Sequence, residues 1–182
     1  LVTMFAAGNS GSDSNGDGEI DDDSLGSPAT AKSAITIGAS ENNRPTWGSL
    51  SDNSSGMAYF SSRGPTDDGR VKPDFVSPGT NIWSTKSRYS GGTGNYTSMS
   101  GTSMATPLAA GSTALLLQHL MENRNHTPSS ALVKAIYAAT AHDMMGQYSS
   151  SSNGAGEAIP NSHEGYGRLD MDEKNPAGVH NL

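Results

Sequence analysis

The fold is decided by one stretch of the sequence, Gly101-Thr102-Ser103-Met104-Ala105-Thr106-Pro107. It leads into residues 108–117, a run rich in alanine and leucine that is typical of a helix buried nearly all round. Ser103 therefore lies at the amino end of a core helix, where backbone N–H groups lack partners within the helix and the helix dipole is positive. Such a position favours developing negative charge. A serine there is ordinarily a helix cap, so capping is the alternative interpretation.

The stretch 101–107 resembles the nucleophile motif of the subtilisin-like serine proteases (subtilases), which also opens a buried helix. A second stretch, Ala6-Ala7-Gly8-Asn9-Ser10-Gly11, is similar to the segment of that family whose asparagine donates a hydrogen bond to the oxyanion. The two stretches occur in the order that the family has. The resemblance implies that Ser103 is the nucleophile, and that its backbone N–H and the Asn9 amide form the oxyanion hole.

The resemblance also implies a fold and a substrate class. The family fold is an α/β three-layer sandwich with a mainly parallel sheet, and residues 1–182 would form the C-terminal portion of its catalytic domain. The expected protein is a secreted endopeptidase that acts on protein or peptide substrates. A roomy pocket for apolar side chains of the substrate is expected from the small residues assigned to substrate binding, namely Ala6, Ala7, Gly8, Gly26 and Thr102.

Residues 13–24 have the spacing of an EF-hand-type calcium loop. Gly18 stands at loop position 6, where a sharp bend is needed, and Ile20 at position 8. Ser24 replaces the glutamate expected at position 12. The alternative is a solvated acidic turn, but crowded carboxylates would repel each other without a cation. We expect a structural calcium ion in this insertion, with ligands from Asp13, Asn15, Asp17, Glu19, Asp21 and Asp23.

Length and composition restrict the function classes. The chain of 182 residues is long enough for one domain with a substantial core. Its formal net charge of −7 argues against nucleic acids and anionic membrane surfaces as partners. The absence of cysteine excludes a disulfide scaffold, a thiolate zinc site and a cysteine nucleophile within this sequence.

Local patterns predict the main elements. Residues 1–8 and 34–39 are typical of buried strands, and the Ser103 helix should run to about Glu122. A second helix is predicted to start near Pro128-Ser129-Ser130. Its predicted packing face consists of Ala131, Leu132, Ala135, Ile136 and Ala139. Residues 147–161 are rich in serine and glycine and are predicted to form a mobile loop.

A serine hydroxyl needs a base before it can attack a carbonyl group. In subtilases a histidine, oriented by an aspartate, supplies that base. Every histidine of the chain follows Ser103, and none has the His-Gly-Thr context of the family: His119, His126, His142, His163 and His180. We therefore expect the aspartate and the histidine in a missing N-terminal part of the catalytic domain. The chain alone should then be inactive, with an unpaired strand edge and an exposed apolar helix face that either the missing part or self-association covers.

Two rival hypotheses come from other function classes. A non-catalytic subtilase-like module would bind peptides or build a scaffold, with the aspartate or histidine motif absent from the whole protein. A calcium-binding interaction module would use residues 13–24, with Ser103 acting only as a cap. Neither hypothesis explains why the Asn9 and Ser103 motifs occur together.

Overall fold

The computed structural model describes residues 1–87, 89, 94–123, 125–144 and 158–171. Most of the predicted mobile loop, residues 147–157, lies outside the described residues. The strands are β1 (Met4–Ala6), β2 (Ile35–Ser40), β3 (Phe75–Pro78), β4 (Ile82–Thr85) and β5 (Tyr96–Met99). The helices are α1 (Thr102–Asn123), α2 (Ser130–Thr140) and a short 3-10 helix (Pro45–Trp47).

Strand β2 is the centre of a parallel sheet with the order β1-β2-β3. All its residues are buried, as expected for a central parallel strand with apolar and β-branched side chains. Ile35, Ile37 and Ala39 alternate along one face, where they pack with Phe75 of β3 against α1. Strands β4 and β5 form a separate antiparallel pair.

The other face of β2 is covered by turns and loops in the described residues. The Thr36 hydroxyl donates a hydrogen bond to the Ala29 carbonyl oxygen at 2.5 Å. The Ser61 hydroxyl accepts one from the Ala39 backbone N–H at 3.0 Å. The parallel sheet β1-β2-β3 and the helix α1 packed on it confirm the predicted α/β class.

Helix α1 is buried along one face only, which corrects the expectation that it is buried nearly all round. Its buried residues are Thr102, Ala105, Ala109, Thr113, Leu116 and Leu120. Leu108 and Leu115 on its other side are 42% and 60% exposed. Because the apolar face is wider than the surface that this chain supplies to cover it, large apolar side chains stay in contact with water.

Strand β1 lies at the edge of the sheet and pairs with β2 alone in the described residues. Beside this edge is an apolar groove of about 450 Å³ between the start of the chain and α1. Its lining includes Leu1, Val2, Met4, Ala110, Ala114 and Leu117. The expected unpaired strand edge and exposed apolar helix face are both observed. No helix in the described part of the chain is long and apolar enough to cross a membrane.

Helix α2 begins where its sequence predicts. The Ser129 hydroxyl caps it by accepting a hydrogen bond from the Leu132 N–H at 3.1 Å. The predicted packing face is wrong in part, since the buried residues are Val133, Ile136, Tyr137 and Thr140. The alanines of the predicted face, Ala131, Ala135 and Ala139, are exposed. Larger side chains gain more by leaving water than alanine does, so they determine which face is buried.

Candidate active site

The first turn of α1 leaves one backbone donor without a protein acceptor. The Thr102 N–H donates to the side chain of Asn9, and the Met104 N–H donates to the Gly101 carbonyl. The Ser103 N–H makes no hydrogen bond to any described residue, as expected for an amide in the first turn of a helix. Ser103 is itself exposed, so its hydroxyl and its N–H lie together at the positive end of the helix dipole.

The Asn9 side chain is attached to this turn by its oxygen. Asn9 Oδ1 accepts hydrogen bonds from the Thr102 backbone N–H at 2.9 Å and from the Thr102 hydroxyl at 3.0 Å. A backbone N–H can only donate, so the oxygen of the amide must face Thr102. The Nδ2 group lies alongside Gly101, 3.4 Å from the position that a Cβ would take there. Asn9 Nδ2 donates no hydrogen bond to any of the described residues.

Gly8 places Asn9 at the carboxyl end of β1. Its backbone has φ +115°, a conformation that side chains other than glycine rarely adopt. A Cβ at this position would lie 2.7 Å from the Ser62 hydroxyl oxygen, closer than real contacts allow. The Gly8 N–H donates to the Thr102 hydroxyl at 3.2 Å, which joins the end of β1 to the start of α1.

This geometry has a definite chemical capacity. Two donors without protein acceptors, the Ser103 N–H and Asn9 Nδ2, stand beside an exposed hydroxyl. Donors fixed in advance in this way stabilise the negative oxygen that develops when a hydroxyl attacks a carbonyl carbon. The arrangement suits acyl transfer more than it suits a simple helix cap, since the Ser103 hydroxyl caps no described amide.

An apolar groove of about 360 Å³ borders Met104, the neighbour of Ser103. One wall is the β4–β5 pair, where Ile82 lies opposite Met99. The other wall is the start of α1, with Pro107 and Leu108. Sequence reasoning missed this groove. No local pattern indicates it, because the groove joins strands β4 and β5 to helix α1 and all four residues of β4 line it.

The predicted substrate-binding residues are only partly brought together. Gly8 and Thr102 contact each other and Asn9, as described above. Ala7 is 1% exposed and belongs to the core, and Ala6 is half-buried in β1. Gly26 is exposed, with no heavy atom within 4 Å of the position that its Cβ would take. The substrate-binding roles stay predictions.

The predicted calcium ligands are held by the loop's own amides. Asp13 accepts the N–H groups of Gly16 at 2.7 Å and Gly18 at 3.0 Å. Asp21 accepts the Ser14 N–H at 2.8 Å, and hydrogen bonds from Ser14 hold the pKa of Asp21 below its usual value. Within the described residues, no three histidine, aspartate or glutamate side chains are grouped closely enough to hold a metal ion. Calcium binding by this loop stays a prediction.

Ser103 has no histidine partner in the described part of the chain. His119 lies sixteen residues further along α1, about 24 Å along the helix axis, beyond hydrogen-bond reach. His163 is buried beside Arg63, and its burial, aided by the Arg63 charge, lowers the pKa of His163 to about 4. Of the other histidines, His126 and His142 are exposed, and His180 lies outside the described residues.

Comparison with known sequences decides the family. The profile of the subtilase family matches residues 1–167. The chain belongs to the subtilase family. This subtilase chain is 41% identical over 137 residues to the serine protease AprX of Bacillus subtilis (strain 168), which covers 70% of the chain and 28% of AprX. It is 39% identical over 124 residues to the PIII-type proteinase of Lactococcus lactis subsp. cremoris (strain SK11), covering 68% of the chain and 5% of that proteinase.

Two solved structures have a similar fold. The CspB protease of Clostridium perfringens matches with a TM-score of 0.60 and 29% identity, over 81% of this chain and 27% of CspB. Sphericase matches with a TM-score of 0.64 and 26% identity, over 93% of this chain and 47% of sphericase. The expected subtilisin-like α/β fold is confirmed. The chain spans less than half the length of each of these relatives.

Proposed function

We propose that this subtilase chain supplies the nucleophile and the oxyanion hole of a serine endopeptidase. The Ser103 hydroxyl attacks the carbonyl carbon of a peptide bond and passes its proton to a base. The Ser103 N–H and Asn9 Nδ2 hold the negative oxygen of the tetrahedral intermediate. Collapse of the intermediate releases the amine, and water then hydrolyses the acyl-enzyme.

One observation carries this proposal. Thr102 holds Asn9 Oδ1 with two hydrogen bonds, so Nδ2 and the Ser103 N–H are left as the donors beside the serine. Asn9 is exposed, so its Nδ2 group is accessible to a substrate oxygen. The match to the subtilase family over residues 1–167 supports the same roles, since both proposed residues fall inside it.

The base is proposed to come from outside these 182 residues. The described histidines lie away from Ser103, and subtilases take their base from a histidine that an aspartate orients. The edge of β1 and the apolar groove beside it provide a surface for the N-terminal part of the catalytic domain. The chain alone is then inactive toward peptides.

Other properties of the whole protein are proposals with narrower support. Protein or peptide substrates and secretion follow from the family resemblance. The substrate pocket is assigned to Ala6, Ala7, Gly8, Gly26 and Thr102 by that resemblance alone. A calcium ion in the loop 13–24 rests on the spacing of its oxygen side chains, and the catalytic steps do not depend on it.

The test is peptide hydrolysis by the full-length protein that contains this chain. Ser103→Ala should remove turnover of a chromogenic peptide and labelling by a fluorophosphonate probe, because the attacking oxygen is gone. Ser112→Ala makes the same change about 14 Å further along α1 and should leave both unchanged. Activity that survives Ser103→Ala would reject the proposal. A protein that folds but neither turns over peptide nor reacts with the probe would favour a non-catalytic module.

A further inference from the structure

A further pocket lies at the opposite end of the parallel strands from Ser103. Its volume is about 330 Å³, and Asp74, Lys32, Arg70, Lys72 and Lys134 line it. Asp74 immediately precedes β3, whereas Asn9 follows β1, so the two sites lie at opposite ends of the strands. The six residues of β2, which run between these two ends, span about 20 Å. Nothing in the proposed protease mechanism uses this pocket.

The pocket concentrates positive charge in an acidic chain. Four of the eleven lysine and arginine residues line it, although the formal net charge of the chain is −7. The carboxylates paired with these cations are Asp74, which binds Lys72 and Lys134, and Asp68, which binds Arg70. Four cations facing two carboxylates leave an excess of two positive charges.

The floor of the pocket is fixed. The Lys72 side chain is 3% exposed, and its ammonium group donates to Asp74 Oδ2 at 2.5 Å and to the Ala34 carbonyl oxygen at 2.7 Å. Burial lowers the pKa of Lys72, and the charges of Lys134 and Arg70 lower it further. Asp74 acts in the opposite direction and pairs the buried ammonium charge, and an added anion would reduce the remaining repulsion among Lys72, Lys134 and Arg70.

The side chains at the rim of the pocket have hydrogen-bond donors that the described residues do not use. The side chain of Lys134 is 36% exposed, and only one of its ammonium donors is needed for Asp74. Lys32 is exposed, and its ammonium group makes no ion pair or hydrogen bond to any described residue. The Arg70 guanidinium binds Asp68 through Nε and the Thr30 carbonyl through one terminal nitrogen, which leaves the other terminal nitrogen for a ligand.

We propose that this pocket binds a small, doubly charged tetrahedral oxyanion of the phosphate or sulfate class. Its volume admits such an ion together with water, and two negative charges match the excess of two positive charges. Lys32, Lys134 and Arg70 bind the oxygens, while Lys72 and Asp74 hold the floor. Binding would stabilise the folded chain by linkage and would not require the catalytic serine.

The test is titration of the full chain with inorganic phosphate by calorimetry, and by thermal unfolding at constant ionic strength set with sodium chloride. The expected result is one binding site and a melting temperature that rises with phosphate but not with chloride. Lys32→Ala should weaken binding about tenfold, because it removes one charge-assisted hydrogen bond. Sulfate should compete with phosphate for the same site.

The matched control is Lys86→Ala, which removes the same charge beside β4, away from the pocket. It should leave the phosphate affinity within about twofold of the unchanged chain, because screening removes distant surface charges. Equal weakening in the two variants would overturn the proposal in favour of general attraction to surface charge. A chain that responds to phosphate no more than to chloride would also overturn it. Neither result depends on protease activity, so the proposed function is tested separately.

Discussion

Replacing Asp74 with asparagine should destabilise the chain more than any other single removal of a charge in the basic pocket. The carboxylate is 3% exposed and lies where β2, β3 and α2 meet. It accepts hydrogen bonds from the Thr36 N–H at 2.7 Å and from Lys72 Nζ at 2.5 Å, and it also pairs with Lys134. Asp74→Asn keeps the size of the side chain but leaves the Lys72 ammonium buried without a counterion.

Breaking a buried ion pair by removing one partner costs about 3–5 kcal/mol of folding free energy. For a chain of this size, the melting temperature should fall by about 10 °C. Burial already lowers the pKa of Lys72, so the variant can recover by deprotonating this lysine. The destabilisation of Asp74→Asn should therefore be larger at pH 7 than at pH 10.

The assay is urea unfolding of the unchanged chain, Asp74→Asn and Lys134→Met at both pH values. Lys134 is 36% exposed, so its loss should cost about 1 kcal/mol or less. If Asp74→Asn and Lys134→Met lower the free energy of unfolding equally at pH 7, the burial of Lys72 does not determine the cost of removing Asp74. A destabilisation of Asp74→Asn that is the same at pH 7 and pH 10 would refute the account of the lysine's protonation.

Three further outcomes follow from the structure. The pKa of His163 is lowered to about 4 by burial and by Arg63, so stability should be complete above about pH 6.5 and fall by roughly 3 kcal/mol as the pH drops through 4. In urea titrations from pH 7 to pH 3.5, His163→Gln should lose this part of the pH dependence, and identical profiles would contradict it. Gly8→Ala should lower the free energy of unfolding by about 1–3 kcal/mol, because φ is +115° and the added Cβ meets Ser62. The control Gly111→Ala, which adds a Cβ in open space on α1, should not destabilise the chain. If the loop 13–24 binds calcium, millimolar calcium should raise the melting temperature above that in chelator, and Asp13→Asn should reduce the rise; equal melting temperatures would reject calcium binding.

Local sequence predicts those features that depend on neighbouring residues. The start of α2 follows from the Ser129 cap, and the position of α1 from the apolar run after Ser103. The buried face of α2 did not follow, because alanine spacing alone does not show that Val133 and Tyr137 enter the core. The buried residues 133, 136, 137 and 140 still have helical spacing, and the larger side chains decide which of the possible faces enters the core.

The long-range contacts of both sites lie beyond sequence patterns. The family resemblance placed Asn9 near Ser103, but it did not indicate that Thr102, 93 positions from Asn9, holds its oxygen. The ion pair of Asp74 with Lys134 joins residues 60 positions apart. Such contacts depend on how the strands and helices pack, so a motif or a local charge pattern does not specify them.

The most direct test of the central claim is the catalytic constant of the full-length protein carrying Asn9→Asp. Aspartate keeps an oxygen that accepts the Thr102 hydrogen bonds, replaces the Nδ2 donor by a second oxygen and adds a negative charge. Loss of the donor, together with repulsion of the oxyanion by this charge, predicts a fall in kcat of at least about a hundred- to a thousandfold, with the melting temperature nearly unchanged. A kcat equal to that of the unchanged protein would contradict the assignment of Asn9 and Ser103 to the oxyanion hole.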